Sequence, residues 1–179
     1  MNNIIVTTVG SISEWLQCQQ VRATAFLPTE PYHEEFDNKD FELVTHLLAV
    51  YMNTPAACMR LRFISPDHGG TIHWGRLAMM PNIQSKVRLA TLNAIADYAE
   101  EYSQIRGFNR IIGEVSDKRL MKFWNRRGFS LTGEQPVDYG ERQFWPMAKQ
   151  KIRAAYSPLE KDTVDTGKDD INRGYRKLP

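Results

Sequence analysis

The spacing of apolar and polar side chains changes period several times along the chain, and each change marks an element. Residues 3 to 9 are β-branched and apolar and stop at Gly10, which predicts a first strand. Ser11 and Glu14 then stand at capping-box spacing. Trp15, Leu16, Cys18, Val21, Ala25 and Phe26 follow at helical spacing, and Pro28 ends the helix. Tyr32 to Asp40 is acidic and aromatic and reads as a loop or short helix lying over the sheet. Thr45 to Met52 and Ala56 to Ile64 predict two strands around the turn Asn53-Thr54-Pro55. A second turn, Pro66 to Gly70, leads into a strand from Thr71 to Met80, stopped by Pro81. Val87, Ala90, Ala94, Ile95, Tyr98 and Tyr102 then share one face of a long helix over residues 85 to 106, with Gly107 at its end. Arg110 to Val115 is a fifth strand. Asp117 caps a short helix that runs through Trp124 to Arg127 and closes at Gly128. Phe129 to Thr132 and Arg142 to Met147 form a last strand pair.

This order is strand, helix, three-strand meander, helix, strand, helix, strands. The later part is a crossover unit, so the expected fold is α/β in the α+β sense: a mixed, mostly antiparallel sheet flanked by helices on both faces. One domain is expected over residues 1–149. Residues 150–179 are charged, poor in large apolar side chains, and carry Pro158, Gly167 and Gly174, so they read as a charged C-terminal tail.

Composition narrows the function classes. A net charge of +2 gives no global argument for nucleic acid or membrane. The aromatic residues are not interleaved with the bases as in a stacking platform. No apolar run is long enough to span a bilayer, and Met1 to Val6 has no basic segment, so no signal peptide and a cytoplasmic protein are expected. Cys18 and Cys58 sit within apolar patterns and read as buried thiols, and no cluster has metal-ligand spacing.

Three groups of residues could carry chemistry. Arg76 to Leu92 is a strand running through a short loop into a long helix, whose free amides and dipole suit an anion. There Ser85 could cap and Lys86 and Arg88 could meet phosphates; the same residues also fit an ordinary capped helix with two solvated bases. Glu34, Glu35, Asp37 and Asp40 could hold an amine or accept its proton, or form a solvated loop. Arg60 and Arg62 share one face of a strand and could pair with those acids or bind an anionic substrate. His46 and His73 lie in strand patterns that fit a packed, hydrogen-bonded histidine more readily than a base, and His73 is the better candidate base because it precedes the proposed anion-binding loop.

Three stretches resemble the GNAT superfamily of acyl-CoA-dependent N-acyltransferases, over about residues 15 to 147. Arg76-Leu77-Ala78-Met79-Met80-Pro81 is similar to the family's strand beside the pantetheine arm. Gln84 to Leu89 falls where the family's glycine loop grips the pyrophosphate. Phe123 to Phe129 resembles its "Phe-Tyr-x-x-x-Gly-Phe" helix end. The chain departs from the pattern at chosen points. Val87 and Leu89 stand where the loop has glycines, Trp124 where a tyrosine acid is frequent, and Gly75 where a glutamate often precedes the strand motif.

The resemblance implies acyl transfer, acetyl above all, from acetyl-CoA or another acyl-CoA to an amine of a small molecule or protein. It implies cofactor contacts from Ala78, Met79, Met80, Gln84, Ser85, Lys86, Val87, Arg88 and Leu89. On that reaction His73 or Glu35 would be the base, and Arg22, Asp37 and Arg60 would lie toward the substrate. A homodimer is open. Arg22, Phe26, Glu35, Asp37, Asp40 and Arg60 also resemble the pattern of acyl-homoserine lactone synthases, which use acyl carrier protein and S-adenosylmethionine. A third alternative is a GNAT-like scaffold without catalysis.

The tail offers little apolar surface to offset its ordering entropy. Deletion of residues 155–179 is expected to leave the thermal midpoint within a degree or two of the full chain, on the order of the ±0.5 kcal/mol of a neutral surface change.

Overall fold

The computed structural model describes residues 4–29, 35–65, 69–139 and 142–150. The reading of residues 150–179 as a tail, and that of Glu34 as a site carboxylate, fall almost wholly outside this set. Eight strands form one sheet in the order β1-β2-β3-β4-β5-β8-β6, with β7 paired to β8. They are β1 (Ile4–Thr8), β2 (Val44–Tyr51), β3 (Thr54–Ser65), β4 (Thr71–Met79), β5 (Arg110–Val115), β6 (Ser130–Leu131), β7 (Val137–Tyr139) and β8 (Arg142–Gln150). Every pairing is antiparallel except β4 with β5. The helices are α1 (Ile12–Phe26), α2 (Ser85–Ile105) and α3 (Lys118–Arg126), and a short 3-10 turn spans Asn38–Phe41. The expected mixed sheet between helices is therefore the observed one. The helix and strand readings hold to within a residue or two, and β8 runs on through Gln150.

Strand alternation sends two sets of side chains to opposite faces. Leu47, Met59, Leu61, Ile72, Trp74 and Ile111 pack with Ile95, Ala96 and Ala99 of α2 and with Trp124 of α3. Leu48, Cys58 and Ala78 meet Cys18 and Val21 of α1. Both cysteines are buried free thiols, as their apolar setting predicts. Ser11 accepts from the Glu14 amide while Glu14 accepts from Gly10, which completes the N-terminal cap of α1. Asp117 accepts from the Arg119 amide and caps α3.

The feature that creates a site is the parting of β4 and β5. They pair over only four residues a side, Thr71–Trp74 with Arg110–Gly113. At the next residues β4 bulges against β3: Arg60 is opposite Gly75 but Cys58 is opposite Ala78. Arg76 takes φ +50°, the left-handed region that costs a non-glycine residue roughly 1–2 kcal/mol. A bulge bends its strand, and here β4 bends away from β5. The sheet is thereby split into two antiparallel units joined by four residue pairs.

Gly113 is the last residue on the β5 side of that seam. A Cβ there would lie 2.7 Å from the Trp74 carbonyl oxygen, a backbone atom that cannot step aside. Gly113→Ala is expected to cost about 1–3 kcal/mol, read as a lower urea midpoint at unchanged m-value.

Candidate functional site

Beyond the seam the two strands enclose a cavity of about 510 Å³. Period-two alternation gives it two characters. On the α2 and α3 face its wall is apolar: Trp74, Leu120, Trp124, Phe129 and Met147. Trp74, Trp124 and Phe129 pack as a triangle with ring centroids 5.4–6.1 Å apart. On the α1 face its wall is polar: Asp37, Arg60, Arg62, His73, Arg76 and Glu114.

The polar wall grows from a buried network of charges. Arg22 on α1 is 1% exposed, and its guanidinium reaches Asp40 at 2.8 and 2.9 Å and also holds the Glu35 carboxylate and the Glu35 carbonyl. The Phe36 ring stacks against it at 5.0 Å. Burial alone would lower the proton affinity of this guanidinium; Asp40 and Glu35 outweigh it and raise it. Arg60 on β3 donates to Asp37 at 2.7 Å and to Asp40 at 2.8 Å. Arg76 completes the set, 3.3 Å from Glu35 and 3.5 Å from Asp37. Three carboxylates thus face three guanidiniums. Burial pushes the Asp37 carboxyl up, but the Arg60 hydrogen bond and charge carry it below the usual carboxylate value.

Arg22, Glu35, Asp37 and Arg60, four of the residues singled out in the sequence, therefore meet in one cluster. Arg62, the other half of the basic pair, turns instead to Glu42 at 2.8 Å. Glu35 is fully buried beneath Arg22 and does not line the cavity. His73 lies on the polar wall, with Nε2 within 3.0 Å of both Glu114 oxygens. Burial alone would raise the Glu114 carboxyl, and the His73 hydrogen bond outweighs it and lowers it. Arg76 and Glu114 were missed as site residues. Arg76 has the wrong strand phase until the bulge corrects it. Glu114 carries one usable signal, a carboxylate at the end of a strand next to a crossover.

The loop proposed for a pyrophosphate is built differently from the sequence expectation. Ser85 does not cap α2; it is the first helical residue, and Gln84 stands at the N-cap without a side-chain hydrogen bond. Arg88 is turned back to the chain, donating to the Pro81 carbonyl at 2.7 Å and the Met80 carbonyl at 3.3 Å. Val87 is buried, while Lys86 and Leu89 are exposed. Ala78, Met79 and Met80 lie on β4 and just past its end, beyond the seam. There β4 pairs with β3 on one side, and no other described strand lies on the other side. Trp124, in the place of a tyrosine, is core.

The chain as a whole superposes on solved structures. A Lactobacillus plantarum protein assigned as an N-acetyltransferase superposes with a TM-score of 0.68 at 21% identity, covering 84% of this chain and 99% of that one. The fold is that of the GNAT N-acyltransferases. An Elizabethkingia anophelis GNAT family acetyltransferase with acetyl-CoA bound matches at TM-score 0.62 and 12% identity, over 84% of this chain and 99% of that one. The acyl-homoserine lactone synthase LasI matches at 0.64 and 15%, over 86% and 92%. No protein-family model matches the sequence, and no curated protein is similar to it in sequence. Among the described residues no helix of this GNAT-like fold is long and apolar enough to cross a membrane.

His46 offers a measurable signature of the network. It is 7% exposed, and burial, reinforced by Arg22 and Arg60, lowers its pKa from the ordinary 6.5 despite the nearby Asp40. As pH falls below 6.5 the unfolded chain takes up this proton and the folded chain does not, so stability declines. Wild type is expected to lose at most about 1.4 kcal/mol per pH unit through this group between pH 7 and 5. His46→Gln should flatten that limb in urea titrations at the two pH values.

Proposed function

We propose that the protein is an N-acyltransferase that moves an acyl group from a CoA thioester to an amine. The cavity at the parting of β4 and β5 carries this reading, because it joins a polar wall to an aromatic, apolar one across a single sheet. An acyl chain is apolar and an amine is polar, and the reaction needs them to meet at one carbon. The edge of β4 from Gly75 to Met79 faces the opening with backbone groups that β5 leaves unpaired, which suits the amides of a pantetheine arm. The start of α2 adds amides and a dipole for the phosphates, with Lys86 beside them. Arg88 is engaged with carbonyls and Val87 closes the approach, so the donor is held more by its arm than by its pyrophosphate. The protein's task is to position amine and thioester and to remove a proton. On this reading the enzyme works in the cytoplasm.

The joining of Arg22, Glu35, Asp37, Asp40 and Arg60 in one network favours a second reading, a relative of the acyl-homoserine lactone synthases taking S-adenosylmethionine as the amine. One titration separates the two. Acetyl-CoA at a hundredfold over its dissociation constant should stabilise the fold by about 2.7 kcal/mol, a rise of roughly 5–10 °C for a chain of this size. Lys86→Ala should weaken the response several-fold. A shift with S-adenosylmethionine and none with any acyl-CoA would overturn the CoA reading in favour of the second. No shift with either would leave the fold as a scaffold.

A further inference from the structure

His73 looks from the sequence like the base, yet its ring offers no nitrogen to a molecule in the cavity. Nε2 is 2.9–3.0 Å from the two Glu114 oxygens. Nδ1 is buried without a hydrogen-bond partner. It faces Gly75, where a Cβ would sit 2.7 Å from His73 Cε1 and 3.2 Å from Nδ1. Gly75 is thus the space the ring occupies, and any larger residue would drive His73 off Glu114. Glu114 is the open member of the pair: it lines the cavity, and its side chain is 25% exposed against 12% for His73. It stands one residue past the β4–β5 seam, where the polar and apolar walls meet.

We infer that Glu114 is the proton acceptor for the amine and that His73 positions it. The inference rests on the acyl-transfer reading. Attack of the amine nitrogen on the thioester carbonyl carbon forms a C–N bond as the C=O π pair moves onto oxygen, leaving the nitrogen positively and the oxygen negatively charged. That nitrogen is far more acidic than a free ammonium, so a carboxylate is basic enough to take its proton. The oxygen pair then re-forms the carbonyl as the C–S bond breaks with its electron pair on sulfur, and the proton held by Glu114 passes through water to the thiolate. Amine and thioester become amide and thiol, with no redox partner needed. The groups around Glu114 suit this role. His73, Arg76 and Lys39 favour its charged form, and the Tyr139 hydroxyl is kept protonated by burial and by the Glu114 charge itself. The carboxylate is therefore ionised at neutral pH and ready to accept.

The test uses the full chain with an acyl-CoA and a primary amine that wild type turns over. Glu114→Gln is expected to lower kcat by 10²–10⁴-fold, with the thioester KM within about threefold and the thermal midpoint nearly unchanged. Formate should restore part of the rate to Glu114→Ala, a rescue that a structural role does not give. His73→Ala should lose kcat by an intermediate factor, and His73→Gln, which keeps an N–H toward the carboxylate, should regain most of it. Glu114→Gln within threefold of wild type, or no formate rescue of a folded Glu114→Ala, overturns the inference while leaving acyl transfer standing. His73→Gln as inactive as His73→Ala beside an active Glu114→Gln moves the proton to His73. Wild type that binds thioesters but acylates no amine overturns the acyl-transfer reading and this inference together.

Discussion

The interaction on which the site depends is the burial of the Arg22 guanidinium between Glu35 and Asp40. A buried guanidinium is tolerable only with full pairing, and removing one partner of such a pair costs about 3–5 kcal/mol. Its partners fix other parts in turn. Asp40 also binds Arg60, which sets α1 against β3. Glu35 also faces Arg76, the residue held at positive φ in the β4 bulge. Strain of that kind persists only where the surroundings over-determine it. The chain of contacts from Arg22 through Glu35 to Arg76 supplies that determination, and the bulge it holds is what parts β4 from β5.

Much of the fold was legible because its signals are local. Alternation, capping residues and the glycines at helix ends located nearly every element. The residues of the charge network were also legible as types: Arg22, Asp37 and Arg60 as substrate-side residues and Glu35 as a candidate base. Their wiring was not. Arg62 and Arg60 are indistinguishable by phase on β3, and only the register and the path of the 35–41 segment assign Arg60 to Asp37 and Asp40 and Arg62 to Glu42. Arg76 is invisible to alternation because a bulge changes the phase of everything after it. Glu114 and His73 lie 41 residues apart on parallel strands, a pairing that no periodicity encodes.

The start of α2 is tied to the rest of the chain by its own side chains. With glycines, successive amides can close on a phosphate. Here Val87 is buried in the core and Arg88 satisfies two carbonyls at the end of β4. The loop is stabilised from within, by packing and by its own hydrogen bonds. On the acyl-transfer reading, recognition of the donor falls to the strand edge and the cavity walls.

The four-pair seam between β4 and β5 also orders the assembly of the protein. As the chain is synthesised, β2, β3 and β4 can close as consecutive hairpins once Met79 has emerged, because their contacts are near in sequence. The charge network lies wholly within that first part, since Arg22, Glu35, Asp37, Asp40, Arg60 and Arg76 all precede α2. The far wall of the cavity waits for β5, and β5 waits for its antiparallel neighbour β8, which ends at Gln150 and contributes Phe144 and Met147 to the lining. The charge network is therefore complete first, while Glu114 and most of the apolar wall come after it, and a chain that ends before β8 holds that network beside a cavity still lacking Phe144 and Met147.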